Sequence, residues 1–139
     1  YDGYGDIVGG IGSYPVLGNP HYHQPHDVLE TIDQQLVAEV AKTTVASIMM
    51  LASSPARVSG LQLARAGGTV SVQWTPSPER DVTGYVVRVT PPGAAEGREQ
   101  RTSGATLSLA NVAPGSEIAV KAINARGLMG WDWARSIAR

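Results

Sequence analysis

The residues that could perform metal chemistry lie in one short stretch. It contains His21, His23, His26 and Asp27. Neutral imidazole and carboxylate groups are both zinc ligands, and in an extended chain His21 and His23 project to the same side. The residues by themselves leave two interpretations open: a self-contained zinc site made of these four side chains, or a solvated loop that is rich in histidine.

An amphipathic helix is predicted directly after this stretch, from Asp33 to about Ala52. Its apolar residues recur at the spacing of one helix face. They are Leu36, Val37, Val40, Ala41, Val45, Ile48, Met49 and Ala52. Thr31 and Gln34 have the spacing of a capping box, in which Thr31 accepts a hydrogen bond from the third helical N–H. No uninterrupted apolar run approaches about 18 residues, so no membrane-spanning helix is predicted.

Charge divides the chain into two halves. Residues 1–54 contain six acidic residues and one basic residue, a net charge of −5, whereas residues 55–139 contain ten basic and six acidic residues, a net charge of +4. Ser53-Ser54-Pro55 lies at the boundary between the acidic and the basic half and ends in a proline, which cannot continue a helix. We therefore predict two domains, 1–54 and 55–139. The overall formal charge of −1 argues against nucleic acid as a partner.

The second half has the period of two that is typical of half-buried strands. Apolar and polar residues alternate in Val70–Trp74, Tyr85–Val89 and Ile118–Ala122, with glycine and proline turns between them. This pattern predicts an antiparallel β-sandwich. Trp131, Asp132 and Trp133 could form a binding patch, but the favoured prediction is a final strand whose aromatic rings lie on one face, against the core or the neighbouring segment.

The second half also resembles a fibronectin type III domain. The matching features, in chain order, are Pro55, Val70–Trp74, Gly84–Val87, Leu109 to Pro114-Gly115, Val120–Asn124 and Gly127. The resemblance implies that Trp74 is the buried tryptophan of the second strand and that Tyr85 is the aromatic of the third. Ile118 stands where this family usually has a tyrosine whose hydroxyl latches a corner of the sandwich. Such a module acts as a spacer or docking unit.

Residues 11–53 resemble the C-terminal end of the di-zinc exopeptidases, the family that includes bacterial aminopeptidases and glutamate carboxypeptidase. The matching segments are Ser13-Tyr14-Pro15 and His21 to Asp33, which contains Tyr22-His23, Asp27 and Ile32-Asp33 before the long helix. Gln24 stands where the family commonly has threonine. The upstream motifs that complete the family's zinc pair, His-x-Asp and Glu-Glu among them, do not occur in this sequence.

This second resemblance assigns roles residue by residue. It implies that His23 ligates one zinc ion of the full-length parent, that Asp27 braces the loop, and that Ser13, Tyr14 and Tyr22 line the substrate pocket. No residue of this chain is assigned as catalytic. The fold expected is mostly β: a fibronectin type III-like sandwich, preceded by an extended segment and one long amphipathic helix that is a remnant of an α/β peptidase domain.

We therefore expect a C-terminal fragment of a zinc exopeptidase followed by a sandwich. The isolated chain is expected to be inactive and to bind zinc only loosely. Its expected partners are the rest of the peptidase domain, a peptide substrate in the parent, and a second copy of the chain through the helix. Neither nucleic acid nor a membrane is expected as a partner, and the resemblance implies an exported protein. The alternative is a non-enzymatic fibronectin type III binding module with a helical linker.

Overall fold

The structure is a computed structural model that describes residues 20–139. The chain divides into two units, Tyr1–Ala52 and Ser53–Arg139. The pocket-wall predictions for Ser13 and Tyr14 lie outside the described residues and stay predictions.

The predicted helix is present, but its cap differs from the prediction. Helix α1 spans Gln34–Ser53, and the backbone N–H of Leu36 donates to Asp33 Oδ1 at 3.0 Å. Asp33 is therefore the N-cap. The capping box based on Thr31 is wrong because Leu29–Thr31 form a 3-10 turn, in which Thr31 Oγ1 donates to the Val28 carbonyl at 2.7 Å. The Thr31 side chain stabilises that turn and not the first turn of α1.

Helix α1 shows that the lack of a long uninterrupted apolar run does not by itself exclude a helix that could cross a membrane. By length and composition it is apolar enough to cross a membrane, with a mean hydropathy of 1.4. Glu39 and Lys42 interrupt the run, but they form an ion pair of 2.8 Å and do not lower the average enough to exclude the segment. Core helices of water-soluble domains pass the same test, so the result by itself assigns no membrane.

Residues beyond α1 form two antiparallel sheets. The strands are β1 Ser59–Ala66, β2 Thr69–Thr75, β3 Val82–Thr90, β4 Arg98–Thr102, β5 Thr106–Ala110, β6 Glu117–Asn124 and β7 Ala134–Ile137. One sheet has the order β1-β2-β5 and the other β4-β3-β6-β7. The three segments with a period of two lie in β2, β3 and β6, so the predicted antiparallel β-sandwich is confirmed.

The core lies between the inner faces of the two sheets. In β2 burial alternates strictly, with Val70, Val72 and Trp74 inside. The rings of Trp74 and Tyr85 meet edge to face, with centroids 5.1 Å apart, and the Tyr85 hydroxyl accepts a hydrogen bond from the Ser77 N–H at 2.9 Å. Ile118 is fully buried, so an apolar contact replaces the tyrosine hydroxyl latch at that position.

The last strand is shorter than the sequence predicts. Strand β7 begins at Ala134, so Trp131 and Trp133 precede it and do not form one face of it. The Trp133 N–H donates to the side chain of Asp132 at 2.7 Å, a local contact that competes with continued strand pairing. Trp131 is left 37% exposed.

Candidate functional site: the histidine segment

The histidine segment, residues 20–27, folds into two consecutive turns. The Gln24 N–H donates to the His21 carbonyl, and the Asp27 N–H donates to the Gln24 carbonyl, both at 3.0 Å. Between them His23 has a φ of 59°, in the left-handed region that non-glycine residues seldom adopt. The prediction that this stretch is extended, with His21 and His23 on one side, is wrong because the turn at His23 breaks the alternation of side chains.

The turns sort the aromatic rings of the segment into two pairs. His21 and His26 meet edge to face, with centroids 5.2 Å apart and planes at 80°. His23 instead stacks on Tyr22, with centroids 4.0 Å apart and planes at 17°. His26 Nε2 donates to the Pro20 carbonyl at 3.3 Å. The ring of His23 is therefore paired with Tyr22, whereas the other two imidazoles are paired with each other.

This arrangement does not assemble a zinc site from local residues. Within residues 20–139 no group of three or more His, Cys, Asp or Glu side chains could hold a metal ion. The self-contained site of His21, His23, His26 and Asp27 is therefore not formed. The described residues do not fit a zinc ion by themselves, since a protein zinc site requires three or four protein ligands.

The side chains that the exopeptidase resemblance singles out lie on the surface of the segment. His23 and Asp27 are exposed, and Tyr22 is 43% exposed. The Asp27 carboxylate accepts no hydrogen bond from residues 20–139, and it is the backbone N–H of Asp27 that closes the second turn. The roles assigned to His23, Asp27 and Tyr22 stay predictions.

A second cluster, of two cationic side chains and one aromatic ring, lies on the sandwich, and the sequence analysis did not identify it. The Trp133 ring has Arg88 Cζ at 4.2 Å and Lys121 Nζ at 4.9 Å from its centroid, both within the range of a cation–π contact. The available signal was the period of two, which places Arg88 and Lys121 on the outer side of β3 and β6. The residues near Trp133 in the sequence did not indicate that its ring packs against Arg88 and Lys121.

The strand order, the register and the buried Trp74 define the class of the second unit: it has a fibronectin type III-like β-sandwich fold. Solved structures with that fold match the chain. One is the crystal structure of the FN1–FN3 domains of chicken CNTN1. It matches at 22% identity and a TM-score of 0.50, over 61% of this chain and 32% of that one. The solution structure of the fn3 domain of human collagen α-1(XX) matches at 24% identity and a TM-score of 0.50, over 62% and 87% of the two chains.

A bacterial protein is also among these neighbours. It is the spore cortex lytic enzyme SleM of Clostridium perfringens, at 21% identity and a TM-score of 0.50, over 60% of this chain. This chain spans only 28% of SleM and 32% of the CNTN1 structure. At these identities the likeness shows the fold alone. No protein-family model matches the sequence, and no curated protein matches it significantly.

Proposed function

We propose that residues 1–54 form the C-terminal end of a zinc exopeptidase domain, and that the sandwich is an appended spacer or docking module. The observation that carries the proposal is the ordered series Tyr22-His23, Asp27 and Ile32-Asp33, which leads directly into the 20-residue helix α1. Several spaced features in one order are more specific than a single histidine motif.

The local geometry supports this proposal in two ways. The His23 imidazole is exposed on a turn, where groups outside residues 20–139 can reach it. Helix α1 has no buried residue, and its apolar side chains Leu36, Val45 and Ile48 are 45–59% exposed. Such a face is typical of a helix that packs on another layer of a larger domain.

The reaction proposed for the full-length protein is hydrolysis of a terminal peptide bond. Within residues 20–139 the resemblance assigns one zinc ligand, His23, and these residues form no assembled set of further ligands. When bound, zinc supplies Lewis-acid activation of water in enzymes of this class. The metal-binding role proposed for the described residues is that of the His23 imidazole, which the turns around it position.

The experiment requires the full-length protein. We expect His23→Ala to remove one zinc ion per molecule and most of the aminopeptidase turnover, because a lost ligand opens the coordination sphere. His21→Ala and His26→Ala are the matched controls, since they delete the same ring from the same turns and should keep both zinc and rate. Metal analysis and turnover of the three variants are the measurements.

Two outcomes would contradict the proposal. A full-length protein that keeps its zinc and its rate without His23 would remove the basis of the resemblance. A full-length protein with no zinc and no peptidase activity, in which the helix only connects the sandwich to another domain, would favour the alternative of a non-enzymatic binding module.

A further inference from the structure

The segment that leads into strand β1 is packed against the sandwich. It runs from residue 53, where the second unit begins, to residue 58, directly before β1. Pro55 and Val58 are buried, whereas Ala56 and Arg57 between them are exposed. Burial therefore fixes the segment at two points, and we call residues 53–58 the strap.

Asn124, the last residue of β6, holds the first residue of the strap. Its side chain is buried, and its Oδ1 accepts hydrogen bonds from the N–H groups of Arg126 and Leu128 at 3.1 and 3.0 Å. The other end of the amide is therefore the NH₂ group. Its Nδ2 donates to the Ser53 carbonyl at 2.8 Å. The amide cannot turn away from the strap without losing bonds at both ends, which is costly for a buried polar group.

Two further side chains hold the middle of the strap. Glu79 Oε1, from the β2–β3 connection, accepts a hydrogen bond from the Ala56 N–H at 2.9 Å. Asp132 Oδ2, from the β6–β7 connection, lies 3.3 Å from Arg57 Nη1. This ion pair is largely exposed and contributes little. The bond to Glu79 matters more, because it satisfies a backbone donor that lies outside the strands.

Gly130 allows the β6–β7 connection to approach the strap closely. A Cβ at this position would lie 3.1 Å from the Pro55 carbonyl oxygen and 3.4 Å from that of Ala56. Both are backbone atoms, so they cannot rotate away as the end of a side chain could. The Gly130 N–H donates to the Ala122 carbonyl at 2.9 Å, which keeps the connection in place. A residue without a side chain is therefore required where the connection meets the strap.

We infer that the strap is not a flexible linker but a closed element of the sandwich, which protects this junction of the chain from proteolysis. The exposed Arg57 side chain marks a cleavage site for a trypsin-like protease. The backbone on both sides of it is held by Asn124, Glu79 and the burial of Val58, so cleavage requires the strap to detach. The rate of cleavage then follows the small population of the open strap. This inference concerns the sandwich alone and does not depend on the peptidase proposal.

The first measurement is tryptic cleavage after Arg57 in the 139-residue chain, followed by mass spectrometry. We expect it to be at least about a hundredfold slower than in a synthetic peptide of residues 50–64, because the strap is rarely open. Gly130→Ala should accelerate it about tenfold, since the added methyl group displaces the Pro55 carbonyl. Gly68→Ala is the matched control: nothing lies within 4 Å of its added methyl group, and neither glycine has a left-handed φ.

The second measurement is hydrogen exchange of the Ala56 amide. Glu79→Ala removes the acceptor of this amide and should accelerate its exchange about tenfold. Glu79→Gln keeps an acceptor oxygen and should change the exchange rate less than about threefold. The Val120 amide, in the core strand β6, should keep its wild-type rate in both variants, which shows that the sandwich remains folded while the strap opens.

Three results would overturn the inference. Cleavage after Arg57 at the rate of the free peptide would show a flexible linker. Equal cleavage rates in Gly130→Ala and Gly68→Ala would show that close packing of the β6–β7 connection does not hold the strap. If Glu79→Ala accelerated exchange of Val120 as much as that of Ala56, opening would be global, and the strap would not be a separate element.

Discussion

At the scale of single residues, the tryptophans of the sandwich have opposite environments. Trp74 is 3% exposed and lies against Tyr85 in the core, whereas Trp131 is 37% exposed before β7. Trp133 lies between these extremes: it is partly buried, and Arg88 and Lys121 lie over its ring on the outer face of the four-stranded sheet. The same residue type therefore occurs in the core, on the outer face of a sheet and at the surface, and substitutions at the three positions should have unequal effects on stability.

Replacement of Trp74 by alanine should unfold the sandwich or come close to it. Deletion of a buried tryptophan side chain typically costs about 3–5 kcal/mol, against a total stability of about 5–15 kcal/mol for a domain. We expect the thermal midpoint to fall by more than about 10 °C. Trp131→Ala serves as the control and should change the free energy of unfolding by less than about 0.5 kcal/mol. A midpoint for Trp74→Ala within a few degrees of wild type would contradict its place in the core.

At the scale of elements, helix α1 is defined by its cap and by its apolar face. Asp33 satisfies the Leu36 N–H, one of the donors that a helix start leaves unpaired, and adds a negative charge at the positive end of the helix dipole. Along the helix the apolar residues lie on one side and remain exposed, Leu36, Ile48 and Met49 among them. Isolated helices of this length are marginal in water, so α1 requires a packing partner.

Removal of the cap should loosen the start of α1. Asp33→Ala should destabilise the first turn by about 1 kcal/mol, and hydrogen exchange of the Leu36 amide should become faster. Thr31→Ala is the matched control, since Thr31 bonds to Val28 in the preceding turn and not to α1. If Thr31→Ala accelerates exchange in α1 as much as Asp33→Ala does, the capping box would be the correct description.

The apolar face of α1 should drive self-association of the chain. Ile48→Glu places a charge in that face and should shift the chain towards the monomer, because a dimer would have to bury the charge. Ala46→Glu, on the opposite side near Lys42, should leave the association unchanged. Sedimentation equilibrium over a range of concentrations is the measurement. A wild-type chain that stays monomeric with a fully helical α1 would contradict this prediction.

At the scale of the whole molecule, the chemistry is divided unequally between the two units. The candidate zinc ligand His23 lies in an acidic half with a net charge of −5, whereas residues 55–139 have a net charge of +4. The described residues of the chain assemble no metal site, and a single imidazole cannot hold a metal that needs three or more protein ligands.

The isolated 139-residue chain should hydrolyse no peptide bond and should bind zinc far more weakly than a structural site. Titration calorimetry with zinc, and turnover assays on aminopeptidase substrates with zinc added, are the measurements. His21→Ala and His26→Ala should change this weak binding only slightly. Stoichiometric tight zinc that either substitution abolishes would instead restore the self-contained site, and would require the histidine turns to rearrange.

The features that could be predicted from the sequence are those set by interactions between residues close together in the chain. Helix α1 and the alternating strands β2, β3 and β6 were predicted within a few residues, because periods of 3.6 and 2 arise from local backbone geometry. The burial of Trp74 followed from the same alternation. Strand β4 carries no such pattern, because all five of its residues are polar. Strands β1 and β5 do alternate, but their runs were not identified as strands from the sequence.

Only the tertiary structure decided the features that depend on distant or non-repeating contacts. The turn at His23 pairs the His23 ring with Tyr22 and requires a left-handed φ, which the hydrophobic periodicity of the sequence does not predict. The cation–π cluster at Trp133 unites residues from three parts of the chain: the register of β3 and β6 brings Arg88 and Lys121 together, and the Trp133 ring lies against both. Sequence periodicity assigns a side chain to a face, but which faces become neighbours is set by the packing of the complete sheets, because that packing balances burial over all strands at once.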